Sequence, residues 1–370
     1  MFWQGKKVFL TGHTGFKGSW LSLWLQGLGA EVTGYSLAPP TNPSLFETAS
    51  VASGMRSIIN DVRDLTHLKQ AMAESKPEIV FHLAAQALVR VSYEDPILTY
   101  QTNIMGTANV LEAVRSTDSV SAVVVITSDK CYENRNWCWG YRENDALGGH
   151  DPYSSSKACS ELVVSAYRNS FFEAGGNNRR SVALASTRAG NVIGGGDWAR
   201  DRLIPDIIRS FSEGKAVKIR YPQATRPWQH VLEPLRGYLM LAQSLVEKGS
   251  AFASGWNFGP NPRDVQPVRW IVERIVSTWG SPVVWEIDQA DHPHEAHMLQ
   301  LDWSKAAHQL GWQPALHLPE ALSMTTEWYQ HFLSGKNVRE KCMEQISGYC
   351  ARAEAESPNA PETQKCVIPS

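Results

Sequence analysis

Three groups of residues in this 370-residue chain have the types and spacing that could do chemistry. Residues 11–18 form a glycine-rich turn, residues 127–130 read Thr-Ser-Asp-Lys, and Tyr153 and Lys157 follow one loop later. The turn suggests a dinucleotide, the Tyr/Lys pair suggests a base for an alcohol, and Asp129 suggests an acid beside both. Oxidation of an alcohol needs the first two features, and expulsion of water needs the third.

The glycine-rich turn follows a short apolar run and precedes a helical pattern, which is the context of a dinucleotide-binding turn. Gly12 permits the tight turn, Gly15 lets the backbone approach a pyrophosphate, and Gly18 lets the helix lie close to the strand. The first gap is one residue wider than in the GxGxxG form. A turn that only packs, without a ligand, is the alternative interpretation.

Tyr153 and Lys157 are four residues apart, so a helix places both side chains on one face. An ammonium beside the phenol stabilises the phenolate, and we expect it to lower the pKa of Tyr153 towards neutrality, as a general base requires. With 11 tyrosines in the chain the spacing can arise by chance. The pair therefore gains its meaning from the glycine turn and Asp129.

Two further positions concern the adenosine half of a dinucleotide. Asp61 follows the third predicted strand, where its carboxylate could accept a hydrogen bond from adenine; a surface loop is the alternative. Asp64 is predicted to cap the next helix. Residues 35–37, at the end of the second strand, include neither a carboxylate for the adenosine ribose nor an arginine for a 2′-phosphate. This segment therefore leaves NAD and NADP equally open.

Polar residues elsewhere can be interpreted either as ligands or as ordinary surface positions. Asn103 is predicted in mid-helix, where asparagine is a poor helix former, so it either bends the helix and holds water or is simply exposed. In the second half, Asn191, Arg202 and Arg226 suggest a clamp for a diphosphate. Solvation is nevertheless the commoner fate of any one arginine.

Apolar runs alternate with helical patterns over residues 1–190, which predicts an α/β fold with a doubly wound parallel sheet of the Rossmann type. Residues 191–335 are broken by prolines and predict a smaller, mixed α/β substrate-binding lobe, from which later segments return to the first domain. Residues 352–370 are expected to be a disordered tail. The predicted strands are 7–10, 32–35, 57–59, 79–83, 122–127 and 182–186, and the predicted helices include 65–74, 97–115, 153–174, 203–213, 234–247 and 268–279.

Composition argues against nucleic-acid and membrane partners. The formal net charge is only −2, and the longest apolar run, residues 122–126, is far too short to span a bilayer. Residues 1–10 lack the pattern of a secretory signal. The six cysteines have no metal-site spacing, which suggests reduced thiols. We expect a soluble cytoplasmic protein without a metal site.

Over roughly residues 5–330 the chain resembles the extended short-chain dehydrogenase/reductase family. Ser128 and Asp129, in place of two small residues, are similar to the nucleotide-sugar 4,6-dehydratases rather than the 4-epimerases. The segments around Lys130, Trp198 and Arg226 look most like the branch that acts on CDP-glucose. The motifs that carry the resemblance are Thr11-Gly-x-x-Gly-Phe-x-Gly18, Asp61-Val-Arg-Asp64, His82-Leu-Ala-Ala85, Thr102-Asn-x-x-Gly-Thr107, Tyr153 with Lys157, Arg226-x-Trp-x-x-Val231, Trp256-Asn-Phe-Gly259 and Leu310-Gly-Trp312.

The resemblance implies a role for each matched residue. The implied catalytic residues are Ser128, Asp129, Lys130, Tyr153 and Lys157. The implied NAD-binding residues are Gly12, His13, Gly15, Phe16, Lys17, Gly18, Asp61, Val62, Leu83, Ala84, Ala85, Gln86, Thr102, Thr127, Tyr153 and Lys157. The implied residues for the nucleotide sugar are Asn191, Arg202, Leu203, Arg226 and Asn261.

The implied reaction converts CDP-glucose to CDP-4-dehydro-6-deoxyglucose and water, by internal transfer of hydride through NAD. Tyr153, supported by Lys157, would deprotonate the 4-hydroxyl, and Asp129, kept protonated by burial, would protonate the departing 6-hydroxyl. The resemblance also implies dideoxysugar supply for lipopolysaccharide O-antigen and a homodimer formed through the helices after Ile97 and Tyr153. The alternatives are a dehydratase acting on dTDP-glucose or GDP-mannose, a 4-epimerase, and a non-catalytic cofactor-sensing protein.

Two residues depart from the family pattern. Lys130 stands where the dTDP-glucose branch has the glutamate assigned as the C5 base. Lys130 either takes the C5 proton itself, which we favour, or polarises the 4-keto oxygen. His13 stands where family members often carry Gly or Ala. Together with the missing carboxylate on the second strand, its ring predicts that NAD is held weakly.

Overall fold

Seven parallel strands form the central sheet of the computed structural model, which describes residues 1–172, 181–280, 285–288 and 299–356. The strands of the chain are β1 (Lys7–Thr11), β2 (Glu31–Ser36), β3 (Arg56–Ile59), β4 (Ile79–His82), β5 (Ala122–Ile126), β6 (Ala183–Ala189), β7 (Val192–Ile193), β8 (Val217–Ile219), β9 (Thr225–Arg226), β10 (Gln229–His230), β11 (Gly255–Phe258), β12 (Gln266–Pro267) and β13 (Trp285–Ile287). The sheet order is β3-β2-β1-β4-β5-β6-β11. The direction of winding reverses between β1 and β4, which is where such sheets bind ligands. The predicted Rossmann-type fold is confirmed.

Side chains of the strands alternate between two apolar layers, one on each face of the sheet. Val8 and Leu10 of β1 belong to one layer and Phe9 to the other, and in β5 Val124 and Val123 are divided in the same way. Because both faces are covered, the strands are continuous apolar runs rather than alternating ones. This pattern is why the strands could be predicted from sequence.

The helices cover both faces of the sheet. They are α1 (Phe16–Gly27), α2 (Leu45–Thr48), α3 (Leu65–Ser75), α4 (Val89–Glu94), α5 (Pro96–Tyr100), α6 (Gly106–Arg115), α7 (Pro152–Tyr167), α8 (Leu203–Ser212), α9 (Leu232–Lys248), α10 (Val268–Trp279), α11 (Leu318–Leu333) and α12 (Val338–Glu356). None of the helices in the described part of the chain is long and apolar enough to cross a membrane.

Two predicted helices are less regular than expected. The segment predicted as one helix over 97–115 consists of α5, a π-helical turn at Gln101–Met105, and α6. The helix predicted over 153–174 is α7 followed by a π-helical turn at Arg168–Phe172, and residues 173–174 lie outside the described residues. Such π-helical turns are frequent at functional sites.

The second half of the chain contributes short strands and one strand of the central sheet. β7 pairs with β10, β8 with β13 and β9 with β12, each as a two-stranded sheet. β11 returns to the central sheet and pairs in parallel with β6. The residues on both sides of position 190 therefore share the central sheet.

The last described helix, α12, corrects the prediction of a disordered tail from residue 352. α12 continues through Glu356, and residues 357–370 lie outside the described residues. The ring of Tyr349 meets Trp24 of α1 edge-on at 5.8 Å, and Arg339 donates to the side-chain oxygen of Gln26 at 2.8 Å. α12 thus packs on the helix that follows the glycine turn.

Glu233 of α9 is a buried carboxyl that joins α12 to the segment before α11. Its Oε1 accepts hydrogen bonds from the backbone nitrogens of Ala315 and Leu316, and its Oε2 accepts from the hydroxyl of Tyr349 at 2.7 Å. Burial raises the pKa of Glu233 to about 7, although these donors oppose the rise. The carboxyl is consequently protonated over a wider pH range in the folded chain than in the unfolded one.

Replacement of Glu233 by Gln should flatten the pH dependence of stability. A carboxyl whose pKa rises from 4.5 to about 7 on folding lowers the free energy of unfolding as pH rises through that window. The loss is complete above pH 7 and amounts to at most about 3 kcal/mol. Urea unfolding at pH 5 and pH 8 measures it, with exposed Glu340→Gln as the control. An unchanged pH dependence in Glu233→Gln would contradict the prediction.

Candidate active site

The glycine-rich turn between β1 and α1 leaves room for a ligand to approach its backbone. Gly12 has a φ of +78°, and a Cβ there would lie 2.7 Å from the backbone nitrogen of Ala84. A Cβ on Gly18 would lie 2.0 Å from the carbonyl oxygen of Gly12. A Cβ on Gly15 would meet only that same oxygen, at 3.4 Å, among the described residues. The outer side of the turn is open at the helix N-terminus, so the turn fits the pyrophosphate of a dinucleotide.

The predicted adenosine contacts have protein partners of their own. Both carboxylate oxygens of Asp61 accept from Arg63, at distances between 2.6 and 2.9 Å, which lowers the pKa of Asp61. Asp64 accepts from the backbone nitrogen of His67 and caps α3, as predicted. At the end of β2, the hydroxyls of Ser36 and Thr14 lie 2.9 Å apart. The strand end is therefore bound to the glycine turn itself.

His13 is buried, and its ring points into the protein. Its Nε2 lies 2.7 Å from the Ser57 hydroxyl, and its ring packs edge-on against Phe46 at 5.3 Å. A Cβ on Gly34 would lie 2.3 Å from the ring, so this glycine makes room for it. Burial lowers the pKa of His13 to about 4, and the ring is neutral at neutral pH. The ring therefore lies between β2, the Ser57 hydroxyl and Phe46.

The segment after β4 is bound to the catalytic helix α7 through Asn103. The side chain of Asn103 accepts from the backbone nitrogen of Gln86 at 2.8 Å and donates to the Gln86 carbonyl and to the Ser156 hydroxyl. Asn103 is buried within the π-helical turn, so the alternative of plain surface exposure is wrong. The turn widens the helix at the point where Asn103 reaches across to α7.

Leu83, Ala84, Ala85 and Gln86 follow β4 directly and lie beside the glycine turn. The backbone nitrogen of Ala84 donates to the Thr11 hydroxyl at 3.2 Å. His82, the last residue of β4, lies 2.7 Å from the same hydroxyl. The carboxyl ends of β1 and β4 therefore meet at the turn, as the strand order requires.

The other predicted cofactor residues lie on several segments around the turn. Val62 packs against Gly106, and the ring of Phe16 lies close to Gly194. Thr102 is half-buried in the π-helical turn. The hydroxyl of Thr127 donates to Glu161 at 2.5 Å, so this side chain faces the protein interior.

Asp129 lies beside Ser128 and Tyr153 at the carboxyl end of β5. The Ser128 hydroxyl donates to Asp129 Oδ1 at 3.0 Å and also hydrogen-bonds the phenol of Tyr153. Asp129 Oδ2 is buried with no hydrogen-bond partner among the described residues, and a Cβ on Gly190 would lie only 3.0 Å from it. Burial raises the pKa of Asp129, as predicted. A protonated carboxyl with an unoccupied oxygen can act as a general acid.

The prediction that the pKa of Tyr153 is lowered is wrong when only the groups of the protein act on the phenol. Burial raises the pKa of Tyr153 to about 12, while its bond to Ser128 and the charge of Arg202 oppose that rise. Burial also lowers the pKa of Lys157 to about 8, which the charge of Glu161 opposes. The nitrogen of Lys157 lies 3.4 Å from the carbonyl oxygen of Ile126. Further positive charge is required to bring the phenol towards neutral pH.

Lys17, in the first turn of α1, reaches towards these same residues. Its ammonium donates to the hydroxyl of Tyr238 at 2.8 Å. Burial lowers the pKa of Lys17 to about 7, and the charges of Lys157 and Arg202 lower it further. The prediction named Lys17 only as part of the dinucleotide turn, whereas its side chain connects α1 to α9.

A buried ion pair behind the catalytic residues was missed by the sequence analysis. Glu161 lies one helical turn after Lys157, and its carboxylate accepts from Arg188 at 2.9 and 3.0 Å. The Ser186 hydroxyl donates to the same carboxylate at 2.6 Å, and Arg188 also donates to Tyr132 at 2.6 Å. The spacing Tyr153, Lys157, Glu161 was the available signal, because residues four apart share a helix face.

The predicted substrate residues approach the centre from the second half of the chain. Arg202 donates to Asp197 at 2.8 Å, and its pKa is raised, mainly by the charge of Asp197 and also by Tyr153. Arg226 of β9 acts on Asp129 through its charge. Asn191 and Leu203 are half-buried beside these segments.

Asn261, the remaining predicted substrate residue, has a local contact within its own loop. It lies in the loop after β11, where its carbonyl accepts from Asp264. Across the described ranges, no three His, Cys, Asp or Glu side chains are close enough to hold a metal ion.

The comparisons with known proteins agree with this geometry. Residues 9–325 match the sequence family described as GDP-mannose 4,6 dehydratase. The chain is 57% identical to CDP-glucose 4,6-dehydratase of Salmonella typhimurium over 348 residues, which cover 94% of this chain and 97% of that one.

Solved structures show the same fold. The dTDP-glucose 4,6-dehydratase of Streptomyces venezuelae, with NAD and TYD bound, is 21% identical and superposes with a TM-score of 0.73, covering 89% of this chain and 98% of that chain. The UDP-glucose 4-epimerase of Thermotoga maritima, also 21% identical, gives a TM-score of 0.75 over 88% of this chain and 99% of that chain.

Replacement of Glu161 by Gln should destabilise the fold strongly. The change leaves the guanidinium of Arg188, which is 5% exposed, without its counter-charge. Breaking a buried pair in this way costs about 3–5 kcal/mol. Chemical unfolding measures the loss against Glu112→Gln, which breaks the more exposed pair with Arg115 and should cost no more than about 1 kcal/mol. Equal losses in the two variants would contradict the prediction.

Proposed function

Because the chain belongs to the GDP-mannose 4,6-dehydratase family of nucleotide-sugar enzymes, we propose that it converts CDP-D-glucose to CDP-4-dehydro-6-deoxy-D-glucose and water. The observation that carries this is the buried carboxyl of Asp129, whose pKa is raised by burial and whose charge acts on Tyr153, in a chain 57% identical to a CDP-glucose 4,6-dehydratase. A 4-epimerase needs the Tyr/Lys pair but no such acid. The enzyme is an NAD-dependent hydro-lyase.

The first step is oxidation of the sugar at C4. Bound NAD would supply the hydride acceptor for C4 and the hydride donor for C6, and its oxidised ring would add a positive charge to the site. Tyr153 takes the proton of the 4-hydroxyl, and the charge of Arg202 favours the resulting phenolate. We assign Lys157, one helical turn after Tyr153, the same supporting role. Protonation of Asp129 removes a negative charge that would otherwise raise the pKa of Tyr153. The acid and the base therefore assist each other.

The second step is elimination of water across C5 and C6. The 4-keto group acidifies the proton on C5, and its removal releases the 6-hydroxyl. Asp129 donates its proton to that hydroxyl, which leaves as water, and burial raises the pKa of Asp129 and so favours the protonated form that this step needs. Lys130 is half-buried next to Asp129, and as the neutral amine it takes the C5 proton and becomes an ammonium. Return of hydride to C6 and of a proton to C5 completes the 6-deoxy product.

Residues 191–335 supply the groups for the nucleotide sugar. Arg202 and Arg226 carry the positive charge that a diphosphate requires, and both act electrostatically on the catalytic residues. Asn191, Leu203 and Asn261 complete the proposed set. The buried ring of His13 and the uncharged end of β2 support weak binding of NAD.

The biological setting follows from the product. A 4-keto-6-deoxy sugar on a nucleotide carrier is a precursor for deoxysugars, and we assign the enzyme to dideoxysugar supply for the O-antigen of lipopolysaccharide, in the cytoplasm. We further propose a homodimer. Ile97, Met105 and Leu162 are 64%, 55% and 59% exposed on neighbouring helical segments, and a helix-to-helix contact between two copies would cover them.

The test of the proposed function is turnover with a panel of sugars. The purified protein is mixed with CDP-glucose, dTDP-glucose or UDP-glucose, with and without added NAD, and the alkali-induced absorbance of a 4-keto-6-deoxy sugar is followed. We expect a signal with CDP-glucose that depends on added NAD. Faster turnover of dTDP-glucose than of CDP-glucose, or no turnover of any of the three sugars, would contradict the proposal.

Replacement of Lys130 distinguishes its two possible actions. Lys130→Met removes both base and charge and should slow elimination about 100-fold or more. The C4 oxidation remains, so reduced nicotinamide should accumulate, and its near-ultraviolet absorbance should rise. Lys130→Arg keeps the charge but cannot accept the C5 proton, and it should behave like Lys130→Met. Recovery of elimination in Lys130→Arg would instead assign Lys130 to polarising the 4-keto oxygen.

Replacement of Leu162 by Glu should produce monomers. The carboxylate would be buried against the partner's helices, and its desolvation would cost more free energy than an interface of ordinary size supplies. Sedimentation velocity measures the change, with Ile287→Glu, at a similarly exposed apolar residue away from these helices, as the control. A Leu162→Glu protein that sediments like the wild type would contradict the proposed interface.

A further inference from the structure

The turn at residues 194–199 is held by the end of α11. A Cβ on Gly195 would lie 1.9 Å from Cγ of Trp328, so the backbone of the turn rests on that indole. The hydroxyl of Tyr329 donates to the carbonyl oxygen of Asp197 at 2.5 Å. The ring of Trp198 meets that of Tyr329 at 5.2 Å. One hydrogen bond and two ring contacts thus fix the turn to one face of α11.

The same turn determines where Arg202 lies. Asp197 is 5% exposed, and its carboxylate accepts from Arg202 at 2.8 Å and from the backbone nitrogen of Ala199 at 3.1 Å. The charge of Arg202 acts on both Tyr153 and Lys17. A displacement of the turn would therefore move a guanidinium that faces the catalytic residues.

α11 is itself fixed by α12. The indole nitrogen of Trp328 donates to the sulfur of Cys342 at 3.2 Å, and the side chain of Gln345 donates to the Met324 carbonyl at 2.7 Å. Tyr349, one helical turn later, is bonded to Glu233. Residues 326–356 lie beyond the part of the chain that the family match covers.

We propose that Tyr329 is a positioning residue that holds Arg202 in place for the nucleotide sugar, acting through Asp197. α11 and α12 thereby take part in substrate binding without contacting the substrate. This inference rests on the proposed function, because it assigns the diphosphate of the CDP-sugar to Arg202.

The test removes one hydroxyl and keeps the ring. Tyr329→Phe should raise the KM for CDP-glucose and the Kd for CDP about fivefold, as expected for loss of one neutral hydrogen bond. Any fall in kcat should accompany this rise in Kd, because the charge of Arg202 also acts on Tyr153. CDP binding is measured by calorimetry without NAD. Tyr349→Phe is the matched control: it removes another buried hydroxyl from the same helix pair, but one that is bonded to Glu233. It should lower the unfolding midpoint and leave KM and Kd unchanged.

A double-mutant cycle tests the route through Asp197. Asp197→Asn weakens the pair with Arg202, so Tyr329→Phe should add little to the Kd in that background. Additive effects on Kd would overturn the inference, as would a Tyr329→Phe protein that loses stability while its Kd is unchanged. A loss confined to kcat would also overturn it. If wild-type protein turns over CDP-glucose, these failures concern Tyr329 alone; a wild type silent with CDP-glucose overturns the proposed function and this inference together.

Discussion

The catalytic edge of the sheet depends on one ion pair, Glu161 with Arg188, that is almost completely removed from water. Its desolvation is expensive, and the pair is stable only because both partners are surrounded by further hydrogen bonds. Glu161 stands on α7, Arg188 on β6, and the Thr127 hydroxyl at the end of β5 donates to the same carboxylate. The pair thereby fixes the rotation and height of α7, and with them the positions of Tyr153 and Lys157.

Burial at this edge of the sheet shifts the pKa values of acids and bases in opposite directions. It raises the pKa of Asp129 and lowers the pKa values of Lys17 and Lys157 to about 7 and 8. Each shift reduces the charge that the site must carry without solvent. The proposed reaction takes a proton from one sugar hydroxyl and delivers a proton to another. This arrangement assists it, because burial favours the protonated form of Asp129 and makes the ammonium groups of Lys17 and Lys157 more acidic within one cluster.

Most of the fold could be predicted from sequence because it follows from local patterns. Strands buried on both faces are continuous apolar runs, and α10 begins and ends at the predicted residues. The catalytic residues were recognisable because their types and spacing are restricted by the chemistry. The predicted acid at Asp129 depends only on burial after an apolar strand.

The remainder depends on contacts that are distant in sequence. The π-helical turn at Gln101–Met105 exists because Asn103 reaches both Gln86 and Ser156. The pKa of Tyr153 depends on burial and on the charges of Arg202, just before α8, and Asp129, just after β5. The small, polar residues 352–370 suggested a disordered tail, yet residues 352–356 continue α12, whose apolar residues pack on Trp24 and on α11. In each case the partner, rather than the segment itself, determines the structure.

The contact between α12 and α1 also has a consequence for synthesis of the chain. α1 begins at the glycine turn, and the face that carries Trp24 is covered by residues that leave the ribosome more than 300 positions later. Strands β1 to β6 can assemble while translation continues, but that face of α1 stays uncovered until α12 has emerged. The dinucleotide-binding half therefore lacks part of its cover until synthesis is almost complete, and a nascent chain offers an apolar helix face to chaperones for most of its elongation.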